Sequence, residues 1–239
     1  MRRLLATGAV GLALASCGSG SGHLTVYAAS SLTGVFQKLD PDARFQFAGS
    51  GELAFQIEQG AKADVYASAS PTYPRELYQK GLVERPRVFA TNRLVLIVPR
   101  LNPARVTSLR SLFRPDVKLV MGAKGVPAGD YARDVLNSFC PPPCRIEAKT
   151  VSEEQDVKGV VAKVALGEAD VGFAYATDVS AANRDARAIP IPFSLAPQIR
   201  YAIAVVRDAA NPDEARTFVR AVLGRKGRRA LHAAGFGVP

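Results

Sequence analysis

The chain has 239 residues, of which 48% are hydrophobic, and 31 Lys and Arg residues against 21 Asp and Glu residues give it a formal net charge of +10. Such a length and composition are those of a globular protein with a sizeable core. The basic residues are scattered, with no long basic block and no nucleic-acid-binding motif, so the excess charge indicates small anions or a membrane surface rather than nucleic acid.

The N-terminal segment predicts export rather than a folded element. A short basic start precedes an apolar run over residues 4–15, which is too short to span a bilayer. The run ends in Leu14-Ala15-Ser16-Cys17, which resembles a bacterial lipobox. Residues 1–16 are therefore expected to be a lipoprotein signal peptide, Cys17 the site of lipid attachment, and residues 17–23 a Gly/Ser-rich tether. The alternative is an ordinary secretory signal peptide with an incidental cysteine.

Over the rest of the chain, predicted strands alternate with predicted helices, which is typical of α/β architecture with largely parallel sheets. The predicted strands cover residues 24–28, 44–48, 63–69, 94–98, 117–121, 170–176 and 201–206. The predicted helices cover residues 32–39, 53–60, 73–80, 131–136, 157–167 and 212–223. Ser31 is a candidate N-cap of the first helix, and Asn211 of the last.

Cys140 and Cys144 flank three prolines. In an exported protein this spacing predicts a local disulfide bond. A redox-active motif normally has two residues between its cysteines, and a metal site would need ligands beyond His23 and His232, the only histidines. Free thiols are the remaining alternative.

Four short segments have the features of a site for a small oxyanion. They are residues 28–33 (AASSLT), 49–51 (GSG), 126–129 (VPAG), and 156–157 (DV) with Tyr175. The first three lie where a predicted strand is followed by a predicted helix, and a helix N-terminus presents unpaired N–H groups and partial positive charge to an anion. These segments contain hydroxyl groups but no evident catalytic residue, which indicates capture of an anion rather than a reaction.

An ordered series of segments that includes these four resembles the molybdate-binding receptors of bacterial ABC importers. The matching segments are residues 26–33, 47–51, 56–60, 63–69, 126–132, 156–159 and 172–175. The resemblance implies a type II periplasmic-binding-protein fold, in which two α/β lobes enclose the ligand in the cleft between them. Lobe 1 is expected to contain residues 24–90 and 197–239, and lobe 2 residues 91–196.

The resemblance also implies five residues that hold the oxyanion. They are Ser31, Ser50, Ala128, Val157 and Tyr175. The serines and Tyr175 would donate through their hydroxyl groups, and Ala128 and Val157 through their backbone N–H groups. The alternative interpretations are structural: a plain N-cap at Ser31, a tight turn at Ser50, a Pro-initiated helix before Ala128 and a core tyrosine at Tyr175.

At Val157 two helix starts compete. Residues 152–155 (SEEQ) form a possible capping box, which would start the helix at Ser152 and bond the Val157 N–H to the Glu153 carbonyl. If Asp156 is the N-cap instead, the Val157 N–H is free. We favour Asp156, because the resemblance places the ligand there.

The function that the resemblance implies is an exported, lipid-anchored receptor, periplasmic or on the cell surface. As a monomer it would bind molybdate, and tungstate too, and deliver the anion to the permease of an ABC importer. No cofactor is expected, and molybdenum would be held only as its oxyanion. Neutral donors demand a fully deprotonated tetrahedral anion, because a protonated phosphate would turn its own O–H toward a donor.

Several alternatives remain at this stage. The same fold can hold sulfate, phosphate or an organic anion, and a related subgroup surrounds the metal with carboxylates, for which Glu52 or Asp156 would serve. A purely structural surface lipoprotein would bind no anion. A secreted serine hydrolase using Ser31 or Ser50 would need a base within reach, and the two histidines lie near the ends of the chain.

Overall fold

A computed structural model describes residues 23–143, 145–182 and 185–239. The predicted signal peptide, Cys17 and all of the tether before His23 lie outside the described residues. Within the described ranges, no helix combines the length and the apolar character needed to cross a membrane.

The described residues form ten strands and eight α-helices. The strands are β1 (Thr25–Ala29), β2 (Arg44–Ala48), β3 (Val65–Ser68), β4 (Arg87–Asn92), β5 (Leu94–Pro99), β6 (Leu119–Gly122), β7 (Thr150–Glu154), β8 (Val171–Tyr175), β9 (Ala186–Pro190) and β10 (Ile199–Val205). The helices are α1 (Thr33–Leu39), α2 (Ser50–Glu58), α3 (Thr72–Gln79), α4 (Pro127–Phe139), α5 (Val157–Ala165), α6 (Ala176–Ala181), α7 (Pro212–Leu223) and α8 (Arg225–Ala233).

The strands build two five-stranded sheets, in the orders β2-β1-β3-β10-β4 and β7-β6-β8-β5-β9. In the first sheet, β1 pairs in parallel with β2 and β3, and β10 pairs antiparallel with β3 and β4. In the second, β6 pairs in parallel with β7 and β8, and β5 pairs antiparallel with β8 and β9. One strand in each sheet, β10 or β5, therefore runs against the other four.

The chain passes between the two sheets twice. It leaves the first sheet after β4, enters the second with β5, and returns between β9 and β10. Each reversed strand is the one that follows a crossover. The predicted lobe borders at residues 90 and 197 stay a prediction, and β4 continues two residues past the first of them.

The α/β character is confirmed, but the expectation of largely parallel sheets is wrong, since half of the strand pairings are antiparallel. All seven predicted strands form. The strands that were not predicted are β4, β7 and β9, and each lies at the edge of its sheet. An edge strand can carry polar residues at positions where a central strand is apolar. Its sequence therefore shows only a weak hydrophobic periodicity.

The helical spacing in α1 correctly predicts the buried face of the first lobe. Leu32, Val35, Phe36 and Leu39 are all buried. The Phe36 ring contacts Phe45 of β2, Phe89 of β4 and Phe218 of α7, with ring centroids 5.4 to 6.3 Å apart. These contacts join the C-terminal part of the chain to the first sheet.

Cys140, which follows α4, is disulfide-bonded. Cys144, its partner in the predicted bond, lies outside the described residues.

A buried carboxylate makes a second connection to the C-terminal part. Asp64 is 2% exposed. Its Oδ2 accepts from the Thr25 N–H at 2.8 Å, and its Oδ1 accepts from the Asn211 N–H at 2.8 Å. The Asn211 side chain also donates to Asp64, at 3.2 Å, instead of capping α7 as the sequence predicted.

Replacing Asp64 with alanine is expected to lower the free energy of unfolding by about 3 kcal/mol, because it leaves buried donors on two elements without an acceptor. Urea denaturation of the variant and the wild type measures this difference. Asp42→Ala is the matched control: Asp42 is exposed on the same lobe, and its loss should cost less than about 0.5 kcal/mol. Equal effects of the two substitutions would contradict the role given to Asp64.

Candidate oxyanion-binding site

A small cavity lies between the two sheets, where parallel strands of both end. Its lining residues end or follow β1, β2 and β3 in the first sheet and β6, β7 and β8 in the second: Ala29, Ser30, Ser31, Ala48, Gly49, Ser50, Ala69, Val126, Pro127, Ala128, Asp156, Val157 and Tyr175. Ligands of open α/β sheets bind at this end of the strands. The space between the lining atoms, including the part open to solvent, is about 210 Å³, so the cavity is a site for a small ligand.

All five residues predicted to hold the anion line this one cavity, namely Ser31, Ser50, Ala128, Val157 and Tyr175. Three come from the second lobe and two from the first. The structure therefore brings the predicted set together, although their role as ligands stays a prediction.

Three helices of nine or more residues, α2, α4 and α5, begin at the cavity, and the six-residue α6 begins directly after Tyr175. No side chain caps the first turn of α2 or of α4, so the early N–H groups of these helices, including those of Ser50 and Ala128, have no acceptor within the helix. Each helix also brings the positive end of its dipole to the cavity. Among the described residues, no Lys or Arg lines the cavity.

At α5 the structure decides between the two predicted starts. The Asp156 Oδ1 accepts from the Gly159 N–H at 3.0 Å, so Asp156 is the N-cap as favoured. The competing start at Ser152 is wrong, because this residue belongs to β7. Val157 is thus the first helical residue, and its N–H has no acceptor within the helix.

Ser31 is not an N-cap, which corrects the sequence prediction. It lies in a 3-10 turn, Ser30–Leu32, that precedes α1. The Ser31 hydroxyl instead lies 3.0 Å from the Tyr201 hydroxyl of β10. Because the chain tightens into this turn before the α-helix starts, the Ser31 side chain is free to face the cavity.

Ser50 is held by two hydrogen bonds that leave its proton available. Its Oγ accepts from the Ala69 N–H at 3.1 Å, and its carbonyl oxygen accepts from the Tyr66 hydroxyl at 2.7 Å. Since the Oγ is already an acceptor on the protein side, its own O–H can donate into the cavity.

Tyr175 is fully buried, and its hydroxyl oxygen is the one buried side-chain polar atom without a hydrogen-bond partner among the described residues. Burial raises the pKa of Tyr175 well above its usual value, so the group stays a neutral donor. An unpartnered buried hydroxyl costs about 1 to 3 kcal/mol. A ligand in the cavity that accepted from Tyr175 would remove this cost.

The alternative ligand set with carboxylates finds little support in the lining. Asp156 is the one carboxylate among the described lining residues, and its Oδ1 is engaged in capping α5. Glu52 does not line the cavity; its Oε1 accepts from Gln56 at 3.0 Å.

Two glycines let the lobes approach each other beside the cavity. A Cβ atom on Gly49 would overlap with the carbonyl oxygen of Gln155, and one on Gly51 with that of Gly125. Across the same contact, the Tyr73 hydroxyl of α3 donates to the Gly125 carbonyl at 2.7 Å. The backbone of the second lobe thus packs directly on α2 of the first.

Sequence reasoning missed the second layer of the site. Tyr73, Asn92, Asp178 and Tyr201 contact the cavity residues or close the cleft, but none was predicted. Their partners are remote in the chain; Ser31 and Tyr201, for example, are 170 positions apart. No local pattern connects residues at such a separation.

The two lobes, the opposed strand ends and the small cavity define the class of periplasmic binding proteins. The chain matches the model of the bacterial extracellular solute-binding protein family over residues 24–237. It belongs to this family, whose members are extracytoplasmic solute receptors of transporters rather than enzymes. The predicted fold class is thereby confirmed.

Relatives and solved structures agree with this assignment. The molybdate-binding protein of Mycobacterium tuberculosis is 34% identical over 230 residues, which cover 92% of this chain and 86% of the relative. The substrate-binding domain of a putative molybdenum ABC transporter from Clostridium difficile is 28% identical with a TM-score of 0.64, covering 91% and 99% of the two chains. The periplasmic molybdate-binding protein of Azotobacter vinelandii shares the fold, with a TM-score of 0.78, 21% identity, and 91% and 100% coverage.

The serine hydrolase alternative is wrong. The relatives are solute-binding proteins, and neither His23 nor His232 lines the cavity that contains Ser31 and Ser50.

Replacing Gly51 with alanine is expected to weaken the binding of molybdate at least about tenfold, because the added Cβ would hold the lobes apart without touching the ligand. Isothermal titration calorimetry measures the change. Gly34→Ala is the control, since a Cβ there meets no atom within 4 Å. Unchanged affinity of Gly51→Ala would show that the lobes close without this contact.

Asp178 lies directly behind the site, and its Oδ2 accepts from the Tyr175 N–H at 3.3 Å. Burial raises the pKa of Asp178 to about 7, against the opposing effect of Lys158. The pKa of Asp178 is higher in the folded than in the unfolded protein. Burial of this carboxyl therefore does not lower the free energy of unfolding below about pH 4, and lowers it increasingly as the pH rises to about 7.

Asp178→Asn keeps an acceptor for Tyr175 and removes the titration. The free energy of unfolding of the variant minus that of the wild type should therefore be roughly 3 kcal/mol larger at pH 8 than at pH 4. Thermal unfolding at both pH values measures the gain. Asp134→Asn on the exposed face of α4 is the control, and its difference from wild type should be the same at both. A gain for Asp178→Asn that is larger at pH 4 would refute the assignment.

Proposed function

We propose that this protein binds molybdate, and tungstate as well, in the cavity between its lobes and delivers the anion to the permease of an ABC importer. The observation that carries the proposal is the buried, unpartnered Tyr175 hydroxyl in a small cavity at which three helices begin. The proposal is supported by the molybdate-binding relative that is 34% identical over most of the chain.

The donor set suits a fully deprotonated tetrahedral dianion. Ser31, Ser50 and Tyr175 would give hydroxyl donors, and Ala128 and Val157 would give backbone N–H groups. Every donor is neutral, so the negative charge would be stabilised by directed hydrogen bonds and helix dipoles rather than by an ion pair. Molybdate and tungstate are near in size and charge, so this arrangement does not separate them, whereas the smaller sulfate would fit the donors poorly.

The finer features of the receptor are part of the same proposal. The mature chain would carry lipid on Cys17 and act as a monomer, with residues 17–23 as its tether. Lobe 1 would comprise residues 24–90 and 197–239, and lobe 2 residues 91–196. The Cys140 disulfide would be formed with Cys144.

Thermal unfolding with molybdate, tungstate, sulfate or phosphate tests the ligand. A ligand present at 1,000 times its dissociation constant should stabilise the protein by about 4 kcal/mol, which is several degrees of Tm. A shift with molybdate and tungstate alone would support the proposal. A shift with sulfate or phosphate would keep the receptor class and change the ligand, and no shift with any anion would refute oxyanion binding.

Tyr175→Phe is expected to act in opposite directions on affinity and stability. Removal of the hydroxyl should weaken molybdate binding about ten- to hundredfold, because a charge-assisted hydrogen bond is lost. The same change should leave the free protein about 1 kcal/mol more stable, because the hydroxyl has no partner there.

Calorimetric titration and urea denaturation of Tyr175→Phe measure the two effects. Tyr78→Phe, which removes a hydroxyl from a tyrosine that is 41% exposed on α3, is the control and should change neither. A Tyr175→Phe protein that is destabilised and binds molybdate normally would contradict the assignment of this hydroxyl as a ligand.

A further inference from the structure

A chain of hydrogen-bonded side chains runs from the first crossover to the cavity. Asn92, at the end of β4, donates through its Nδ2 to the Thr177 Oγ1 at 2.9 Å and to the Tyr201 Oη at 3.3 Å. The Tyr201 Oη lies 3.0 Å from the Ser31 Oγ, and Ser31 lines the cavity. None of these contacts was needed to build the anion site from its five predicted residues.

The orientation of the Asn92 amide is fixed by the backbone. Its Oδ1 accepts from the backbone N–H of Arg93 at 2.9 Å. Arg93 is the residue that connects β4 to β5. The other end of the amide, Nδ2, must therefore face Tyr201 and Thr177, and an amide nitrogen can only donate. The hydrogen bond between Asn92 and Tyr201 thus has one direction.

This direction propagates to Ser31. Tyr201 is fully buried, and its ring is packed among Phe89, Tyr175 and Phe236. Either hydroxyl could donate in the contact between Tyr201 and Ser31, but the Ser31 Oγ is the one acceptor that the described residues offer to the Tyr201 proton, whereas Ser31 can also donate into the cavity. Burial raises the pKa of Tyr201 well above its usual value, so this proton stays in place.

Ser31 is then an acceptor on the protein side, and its own proton is directed to the cavity. We propose that Asn92 and Tyr201 are positioning residues that fix Ser31 as a hydrogen-bond donor, and so select against oxyanions that carry a proton. The inference rests on the proposed function, since it assigns to Ser31 a contact with the bound anion.

The selection follows from the chemistry of the anion. Molybdate at neutral pH has four oxygens that only accept, so each can receive a proton from the site. Phosphate at neutral pH carries at least one O–H, and a serine whose proton is already directed at the ligand meets that O–H donor to donor. Without the Tyr201 hydroxyl, the Ser31 O–H is no longer held toward the ligand, so the hydroxyl can rotate and its Oγ can accept from the O–H of phosphate.

Tyr201→Phe tests the inference, because it keeps the packed ring and removes only the hydroxyl. Molybdate affinity should fall about three- to tenfold, the effect of about one hydrogen bond. Phosphate affinity, measured by competition with molybdate at pH 7.5, should fall less or rise, so that the ratio of the two affinities drops at least about threefold. Tyr27→Phe is the control, since Tyr27 is buried in the same sheet but does not line the cavity.

A double-mutant cycle with Ser31→Ala distinguishes positioning from packing. In the Ser31→Ala background, Tyr201→Phe should have no further effect on molybdate affinity. The same loss in both backgrounds, or equal losses for molybdate and phosphate, would overturn the inference. If the wild type binds no molybdate, the proposed function fails first, which is a result distinct from a failed cycle in a wild type that does bind.

Asn92→Ala provides a second variant at the start of the chain of bonds. It should reproduce the lower ratio of molybdate to phosphate affinity, because it frees Tyr201 to point its proton away from Ser31. A normal ratio in Asn92→Ala, together with a changed one in Tyr201→Phe, would overturn the role of Asn92.

Discussion

The site depends on one constraint: in both sheets, three neighbouring parallel strands end at the same cavity. In an α/β unit the helix that follows a parallel strand starts at the carboxyl edge of the sheet, so opposing two such edges brings several helix N-termini together. The positive ends of α2, α4 and α5 converge in this way. The side chains then add hydroxyl groups to a field that the backbone already provides.

The net positive charge of the chain and the charge of the site are separate features. The chain carries a formal charge of +10, but the described residues that line the cavity include no Lys or Arg. The distant charges attract anions of any kind, whereas the directed donors decide which anion is held. Because the site has no basic side chain among the described residues, release of the ligand does not require an ion pair to be broken.

Sequence patterns predicted the parts of the fold that are local. The alternation of strands and helices predicted the α/β class. At Val157 the local pattern left two helix starts open, and the family resemblance, not the pattern, favoured the correct N-cap, Asp156. The long-range parts were out of reach: the sequence did not show that the Ser31 hydroxyl lies beside that of Tyr201 in β10. Edge strands such as β7 were missed since half their surface need not be apolar, and the lobe contact at Gly51 involves a carbonyl that no side-chain pattern encodes.

Two of the five groups proposed to hold the anion, those of Ala128 and Val157, would face it through the main chain. Their contribution is carried by where α4 and α5 begin, so it is insensitive to which small residue stands at either position. The residue types at these two positions can therefore change during evolution while the binding geometry persists. For a site built in this way, comparison of residue types alone underestimates how far the binding geometry is shared, and comparison of helix starts is the better guide.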